Sequence, residues 1–288
     1  MRGTRHGPAV RRRKLGEELR GLRLGAGLTS REAARLVGWH QSKVSRIETG
    51  TSGVTSADVK RLLDAYGVRE PRRRALLEAL SGAADGGGGG WWHAYRGVIP
   101  SQYSDFISLE ATASAARTLE TSVVPGLLQT PAYAKAVTRA ALDGLPPATI
   151  DSLVRVRIAR QEVLHGDPPL RLEAVLDEAV LRRQVGGPQV MREQLQRLME
   201  LAQMPQLRLQ VMPFTVGGYV GLSGSFVIFS FPSISDLDVV ALDHLTSSLY
   251  LERTEDLEAY CAAFRTMQAH ALTPEDSLAL IAGIGDGA

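Results

Sequence analysis

Apolar positions recur at helical spacing in short blocks over the first 80 residues, in longer helical blocks after residue 100, and in strand-like runs after residue 170. KLGEELRGLRLGAG carries Leu15, Leu19, Leu22 and Leu24 at near-helical spacing and predicts an opening helix. In LTSREAARLVGWHQSKVSRIETG (28–50), Thr29 with Glu32 three residues on forms a capping box that starts a second helix. Gly38 ends it in a turn that needs positive φ, and a third helix follows. Ala33, Ala34 and Val37 on one helix and Val44 and Ile47 on the next are spaced to face each other, and Ala34 is small enough for a close crossing. Thr55 and Asp58 open a fourth helix in TSADVKRLLDAYG, and EPRRRALLEAL supplies a fifth. The pattern predicts an all-α, five-helix domain over 14–80, preceded by a basic N-terminal arm at 1–13.

SGAADGGGGG (81–90) cannot hold a helix and predicts a flexible linker with a reach of roughly 15–20 Å. Beyond it, SDFISLEATASAARTLE (104–120), PAYAKAVTRAAL (131–142) and PATIDSLVRVRIARQEVLHG (147–166) read as helices. LRLEAVLD (170–177) alternates like a strand, and EAVLRRQV and PQVMREQLQRLMELAQM (188–204) follow as a short and a long helix. LRLQVMPF, GSFVIFSF, LDVVALDH and SSLYLER add four strand candidates before two closing helices. Helices, then strands, then helices predict an α+β domain over 91–288 with a mostly antiparallel sheet, so the whole chain is α+β in class.

With Val44 and Ile47 turned inward, Gln41, Ser42, Lys43, Ser45 and Arg46 point outward from the third helix. Gln and Arg pair bidentately with adenine and guanine edges in the major groove, whereas Ser and Lys suit phosphates. Thr29 and Ser30 at the start of the second helix, and His40 just ahead of the third, complete the candidate DNA-binding set. An ordinary helical hairpin with a polar solvent face is the competing reading. Charge favours the first. Residues 1–80 hold 18 basic against 8 acidic side chains, and residues 81–288 hold 15 against 23. The basic half has the footprint phosphate binding requires, and the acidic half is repelled by a duplex. Arg11, Arg12, Arg13 and Lys14 make either an arm onto phosphates or the minor groove, or a basic tail; Arg72, Arg73 and Arg74 read as a solvated helix face.

Five short helices with S-K-V-S-R-I-E-T-G at 42–50 resemble the Cro/repressor-type helix-turn-helix domain of the XRE family. The resemblance implies base contacts from Gln41, Ser42 and Arg46 and a structural ion pair between Arg23 and Glu48. His40 stands where that family usually places a capping Ser or Thr. Farther on, VVPGLLQTPAYAKAV (123–137), RIARQEVL (157–164), the long stretch 170–214 and GSFVIFSFP resemble the uncharacterised C-terminal domain that follows a helix-turn-helix in many actinobacterial regulators. These include WhiJ-like developmental regulators and antitoxin-like members encoded beside a small partner protein.

Catalytic and metal chemistry have little support in the sequence. Cys261 is the sole cysteine, at helical spacing among apolar neighbours, and no intrachain disulfide or cysteine-based zinc site is expected. His6, His40, His93, His165, His244 and His270 are scattered without ligand spacing. Asp177 and Glu178 suit a helix N-terminus better than an acid/base pair, and GLSGS (221–225) lacks the frame of a nucleophile elbow. Arg157, Arg160 and Gln161 share a helical face that either holds an anion or forms a salt-bridged surface. Trp91 and Trp92 read as anchors docking the chain onto its domain, or as a partner contact. No catalytic residue, cofactor or metal is expected, and no apolar run is long enough to span a membrane, so a cytoplasmic, nucleoid-associated location is expected. The expected function is a sequence-specific transcriptional regulator that binds double-stranded DNA at an inverted-repeat operator as a homodimer. Its C-terminal domain would sense a signal, either by binding a small partner protein encoded nearby or, alternatively, by binding a small molecule.

Overall fold

The computed structural model describes residues 7–82, 91–95, 97–142, 144–231, 238–244 and 247–286. The chain divides into two units: a head that ends at residue 96 and takes in 101–108, and a body of 97–100 and 109 onward.

In the head, α1 (Gly7–Gly25), α2 (Ser30–Leu36), α3 (Gln41–Glu48), α4 (Ser56–Ala65) and α5 (Pro71–Gly82) match the expected five helices. Leu15, Leu19, Ala33, Ala34, Val44, Ile47, Val59, Leu62, Leu63 and Leu77 are buried and form its core. Leu24, grouped with the core leucines on spacing, is 58% exposed. α1 begins at Gly7, so Arg11–Lys14 lie within its first turns rather than on an arm ahead of it; residues 1–6 of the expected arm and 83–90 of the expected linker lie outside the described residues. Two of the arginines at 72–74 tie α5 back to the bundle. Arg73 meets Glu18 at 2.9 Å, and Arg74 meets Asp64 at 2.7 Å and the carbonyl of Val68.

α1 crosses the end of α3 at a glycine. A Cβ on Gly16 would lie 2.5 Å from the carbonyl oxygen of Ile47 and 2.6 Å from that of Glu48. Glycine costs a helix interior about 1 kcal/mol relative to alanine, and close approach of the two backbones is what offsets it here. Beside this seam Arg23 and Glu48 form the expected pair: Nε and Nη2 donate to the two carboxylate oxygens at 2.7 and 2.8 Å, and Nη1 donates to the carbonyl of Leu28 at 2.7 Å. Both side chains are more than nine-tenths buried. Donation to the Glu48 carboxylate raises the Arg23 pKa further, so the guanidinium stays charged. Next to the pair, the Tyr66 hydroxyl is buried with no hydrogen-bond partner among the described residues.

After a short 3-10 turn (Trp91–Tyr95) and α6 (Ser101–Glu110), the body builds one mixed sheet. Its strands are β1 (Ala115–Glu120), β2 (Arg171–Asp177), β3 (Leu207–Met212), β4 (Phe226–Ser230), β5 (Val239–Asp243) and β6 (Ser248–Leu251), in spatial order β3-β2-β1-β4-β5-β6. β1–β4, β4–β5 and β5–β6 pair antiparallel, while β1–β2 and β2–β3 pair parallel. α7 (Pro131–Ala141) and α8 (Pro147–Ala159) connect β1 to β2; α9 (Glu178–Arg182) and α10 (Pro188–Leu201) connect β2 to β3; α11 (Thr254–His270) and α12 (Pro274–Asp286) close the chain.

The central strand β1 falls inside the expected helix 104–120, which is a correction: the helix stops at Glu110. Alanine, arginine and glutamate in AARTLE favour a helix locally, and two flanking strands override that preference by pairing with both edges. Missing this strand hid the strand–helix–strand order that makes half the sheet parallel. One core cluster gathers Leu119, Val175, Met212, Ile228 and Val240 with Phe264 and Met267 of α11. Leu172, Ala174 and Leu176 alternate with Val175 and are buried as well, as expected of a strand covered on both faces.

Two tests follow from these contacts. In the head, Glu48→Gln should cost about 3–5 kcal/mol in denaturant unfolding, because it strands a buried guanidinium; Gly16→Ala should also destabilise, by about 1–3 kcal/mol, despite alanine's helix propensity. A neutral result for both would mean that the α1–α3 seam is loose. In the body, burial pushes the Glu120 carboxyl up to about 7, with the Ser225 hydrogen bond opposing the rise, Asp243 adding to it and Arg157 and Arg160 lowering it. A folded pKa above the ordinary 4.5 means that the native state holds this proton more tightly, so its contribution is present at low pH and is lost as pH rises through 7. Glu120→Gln should therefore remove this loss and leave the variant more stable than the wild type at alkaline pH, by up to about 3 kcal/mol, less to the extent that water screens the group. Unfolding curves for both proteins between about pH 5 and pH 8 give the comparison, and parallel pH dependence would refute the assignment.

Candidate nucleic-acid interface

The turn between α2 and α3 is built from local hydrogen bonds. Thr29 Oγ1 accepts the N–H of Glu32, and Glu32 Oε2 accepts the N–H and hydroxyl of Thr29, closing the capping box at 2.7–3.2 Å. These bonds also hold the Glu32 carboxyl below its usual pKa. Gly38 takes φ +71°, and the N–H of Trp39 returns to the carbonyl of Ala34 at 2.8 Å. His40 caps α3: its Nδ1 accepts the N–H of Ser42 at 3.3 Å and lies 2.9 Å from the Ser42 hydroxyl. An imidazole thus does what Ser or Thr does elsewhere. With Nδ1 accepting, the neutral ring carries its proton on Nε2, a donor free of the cap.

One face of α3, made of Val44, Ile47 and Glu48, is buried. On the other face Gln41, Ser42, Ser45 and Arg46 are exposed. Gln41 Nε2 donates to the Ser30 hydroxyl at 3.0 Å, joining the starts of the two helices. The Arg46 carbonyl accepts from the N–H groups of Thr51 and Ser52 at 3.0 and 3.2 Å, which fixes its backbone, and its side chain is exposed. Thr29, Ser30, His40, Gln41, Ser42, Ser45 and Arg46 therefore sit on one turn-and-helix surface. Lys43 differs from them, since its Nζ donates to Asp58 Oδ2 at 2.8 Å and lies 3.8 Å from the centroid of the Trp39 ring. Sequence reasoning passed over both partners, because Asp58 read only as part of a helix start and Trp39 carried no reading of its own.

In the body, the side chains marked in sequence as able to hold an anion are used internally. Arg160 donates to both carboxylate oxygens of Glu110 at 2.7–2.8 Å, with both side chains buried. Gln161 donates to the carbonyls of Gly126 and Gln129, and Arg157 donates to Gln129 Oε1. Gln129 and Gln194 in turn donate to the carbonyls of Val124 and Leu128, and Gln194 Oε1 accepts the N–H of Thr130. The VPGLLQT stretch is thus clamped through its backbone by glutamines. Asp177 caps α9 and accepts the Tyr219 hydroxyl at 2.6 Å, while Glu178 accepts from Arg182 and from the N–H of Phe214. Cys261 is partly buried against the cluster of Leu119, Phe264 and Met267. Trp92 is buried and Trp91 is 38% exposed, with the two rings edge-on at 6.0 Å. α10 buries Met191, Leu195, Leu198 and Leu201 within its own chain.

Two further surface features belong to the body. A groove of about 810 Å³ is lined by residues 110–114, 166–171 and 205–206, together with Val163. It lies at the amino ends of the parallel strands, whereas ligands of open parallel sheets sit at the carboxyl ends. Between β3 and β4, Phe214, Val220 and Leu222 are 54–66% exposed. No helix among the described residues is long and apolar enough to cross a membrane.

Residues 14–76 match a helix-turn-helix domain, in keeping with the XRE type read from the sequence. Residues 103–283 match a domain of unknown function, DUF5753. No curated protein and no solved structure matches the chain. A match across well over half of its length places the chain in the DUF5753 family, with a helix-turn-helix domain at its N-terminal end.

Proposed function

We propose that this protein is a sequence-specific transcriptional regulator that reads an inverted-repeat operator as a homodimer, with the body sensing a signal through a small partner protein. The observation that carries the reading is the exposed row Gln41, Ser42, Ser45 and Arg46 on a helix whose opposite face is locked into the core. A row of this kind, on a short helix after a tight turn, suits insertion into the major groove. The charge division between residues 1–80 and 81–288 supports the same assignment of the head. No catalytic role is part of the proposal, since Asp177, Glu178 and Arg160 are each engaged in structural hydrogen bonds.

One head touches few base pairs, too few for tight selective binding, which argues for two heads on half-sites about 34 Å apart or a multiple of that. A partner that binds the body can then release DNA by changing how two heads are held, without touching Arg46. A second reading, in which the signal is a small molecule, draws on the groove of about 810 Å³ beside residues 166–171.

Arg46→Ala should weaken binding to the preferred duplex by about 1–3 kcal/mol and relax base preference at one position, leaving thermal unfolding unchanged. Selection from a random duplex pool with each protein measures both effects, and an unchanged preference would remove Arg46 from the groove. Sedimentation should show the full-length chain as a dimer, and a fragment ending at residue 108 should bind the selected inverted repeat more weakly than the whole. A monomeric chain, or a fragment that binds equally well, contradicts the dimer.

A further inference from the structure

We infer that Lys43 is a positioning residue of the reading helix and makes no phosphate contact, because Asp58 and Trp39 hold it within the head. The inference rests on the DNA-binding reading of α3. Lysine on such a helix ordinarily serves as a point charge for the backbone of the duplex. Here its ammonium donates to Asp58 Oδ2 at 2.8 Å and stands 3.8 Å from the centroid of the Trp39 ring. The two side chains of the ion pair are 37% and 18% exposed, so the pair is partly shielded from solvent.

Both partners are themselves fixed by backbone. Trp39 is held by its N–H on Ala34, in the turn that enters α3. Asp58 lies in the first turn of α4, where its N–H donates to Thr55 Oγ1 at 3.0 Å. Lys43 therefore spans three elements: the turn before α3, α3 itself and the start of α4. For the ammonium to reach a phosphate it would have to leave both partners and strand a carboxylate close to the DNA. A paired lysine also adds no net positive charge, and so it releases no counterion on binding.

The test uses the full-length chain and two probes: a duplex selected from a random pool with the wild-type protein, and a scrambled duplex of equal length. Binding is titrated from about 50 to 200 mM salt and the slope of log affinity against log salt is read. The double variant Lys43→Gln with Asp58→Asn removes both charges together, so its slope should match the wild type. Its affinity for the selected duplex should fall about 3- to 10-fold, the worth of a part-shielded ion pair and a cation–π contact, with the scrambled duplex unaffected. Asp58→Asn alone frees the ammonium and should steepen the slope by about 0.9. If the double variant instead flattens the slope by about 0.9 and weakens both duplexes alike, Lys43 was on a phosphate and the inference is overturned. A wild-type chain that enriches no duplex from the pool overturns the DNA-binding reading itself, a distinct failure. Thermal unfolding of each variant separates loss of fold from loss of position.

Discussion

Glu48 lies at the buried end of α3, and its charge is tolerable there only because Arg23 meets both of its oxygens. That requirement draws α1 close to α3, and the approach is close enough that Gly16 has no room for a side chain. The exposed face of α3 follows from this seam. Once Glu48 and Ile47 are pinned under α1, the 3.6-residue period leaves Gln41, Ser42, Ser45 and Arg46 on the outside. A buried pair of this kind contributes little net stability compared with an apolar core. What it does supply is a single orientation, since an Arg–carboxylate fork satisfies its geometry in one register only. For the DNA-reading role proposed for α3, orientation matters more than stability.

The head was legible in sequence because its rules are local. The capping box at Thr29 and Glu32, the positive-φ turn at Gly38 and the apolar spacing of Ala33, Ala34, Val44 and Ile47 each act within a few residues. The same locality explains what was missed. Asp58 is fifteen residues from Lys43 and Gly16 is more than thirty from Glu48, so neither contact leaves a mark in any short window. A signal for Gly16 was present all the same, as a glycine inside a leucine-bearing helix calls for a close neighbour. In the body the central strand was misread for a similar reason, its identity being set by β2 and β4 on either side rather than by its own six residues.

The body's most recognisable stretch, VPGLLQT, gains its distinctiveness from structure. Its carbonyls at Val124, Gly126, Leu128 and Gln129 accept hydrogen bonds from the side-chain amides of Gln129, Gln161 and Gln194. A segment without regular ladder bonds that lies under helices needs such side chains, because an unpaired buried carbonyl costs about 1–3 kcal/mol. The Arg160–Glu110 pair belongs to the same scaffold.

Function in the body is therefore better sought where side chains are not already engaged. Phe214, Val220 and Leu222 are exposed on a loop whose anchor, Gly221, packs so tightly that an added Cβ would lie 2.5 Å from Leu119 and 2.8 Å from Met267. A backbone pinned to the core at one glycine cannot fold its two neighbours inward as well, and Val220 and Leu222 project as a consequence. The groove near residues 166–171 differs in kind, since proline rings and strand starts line it rather than projecting apolar side chains. A regulator that answers to a protein uses the first type of surface and one that answers to a small molecule the second. The two readings of the signal thus make demands on different residues of the same domain.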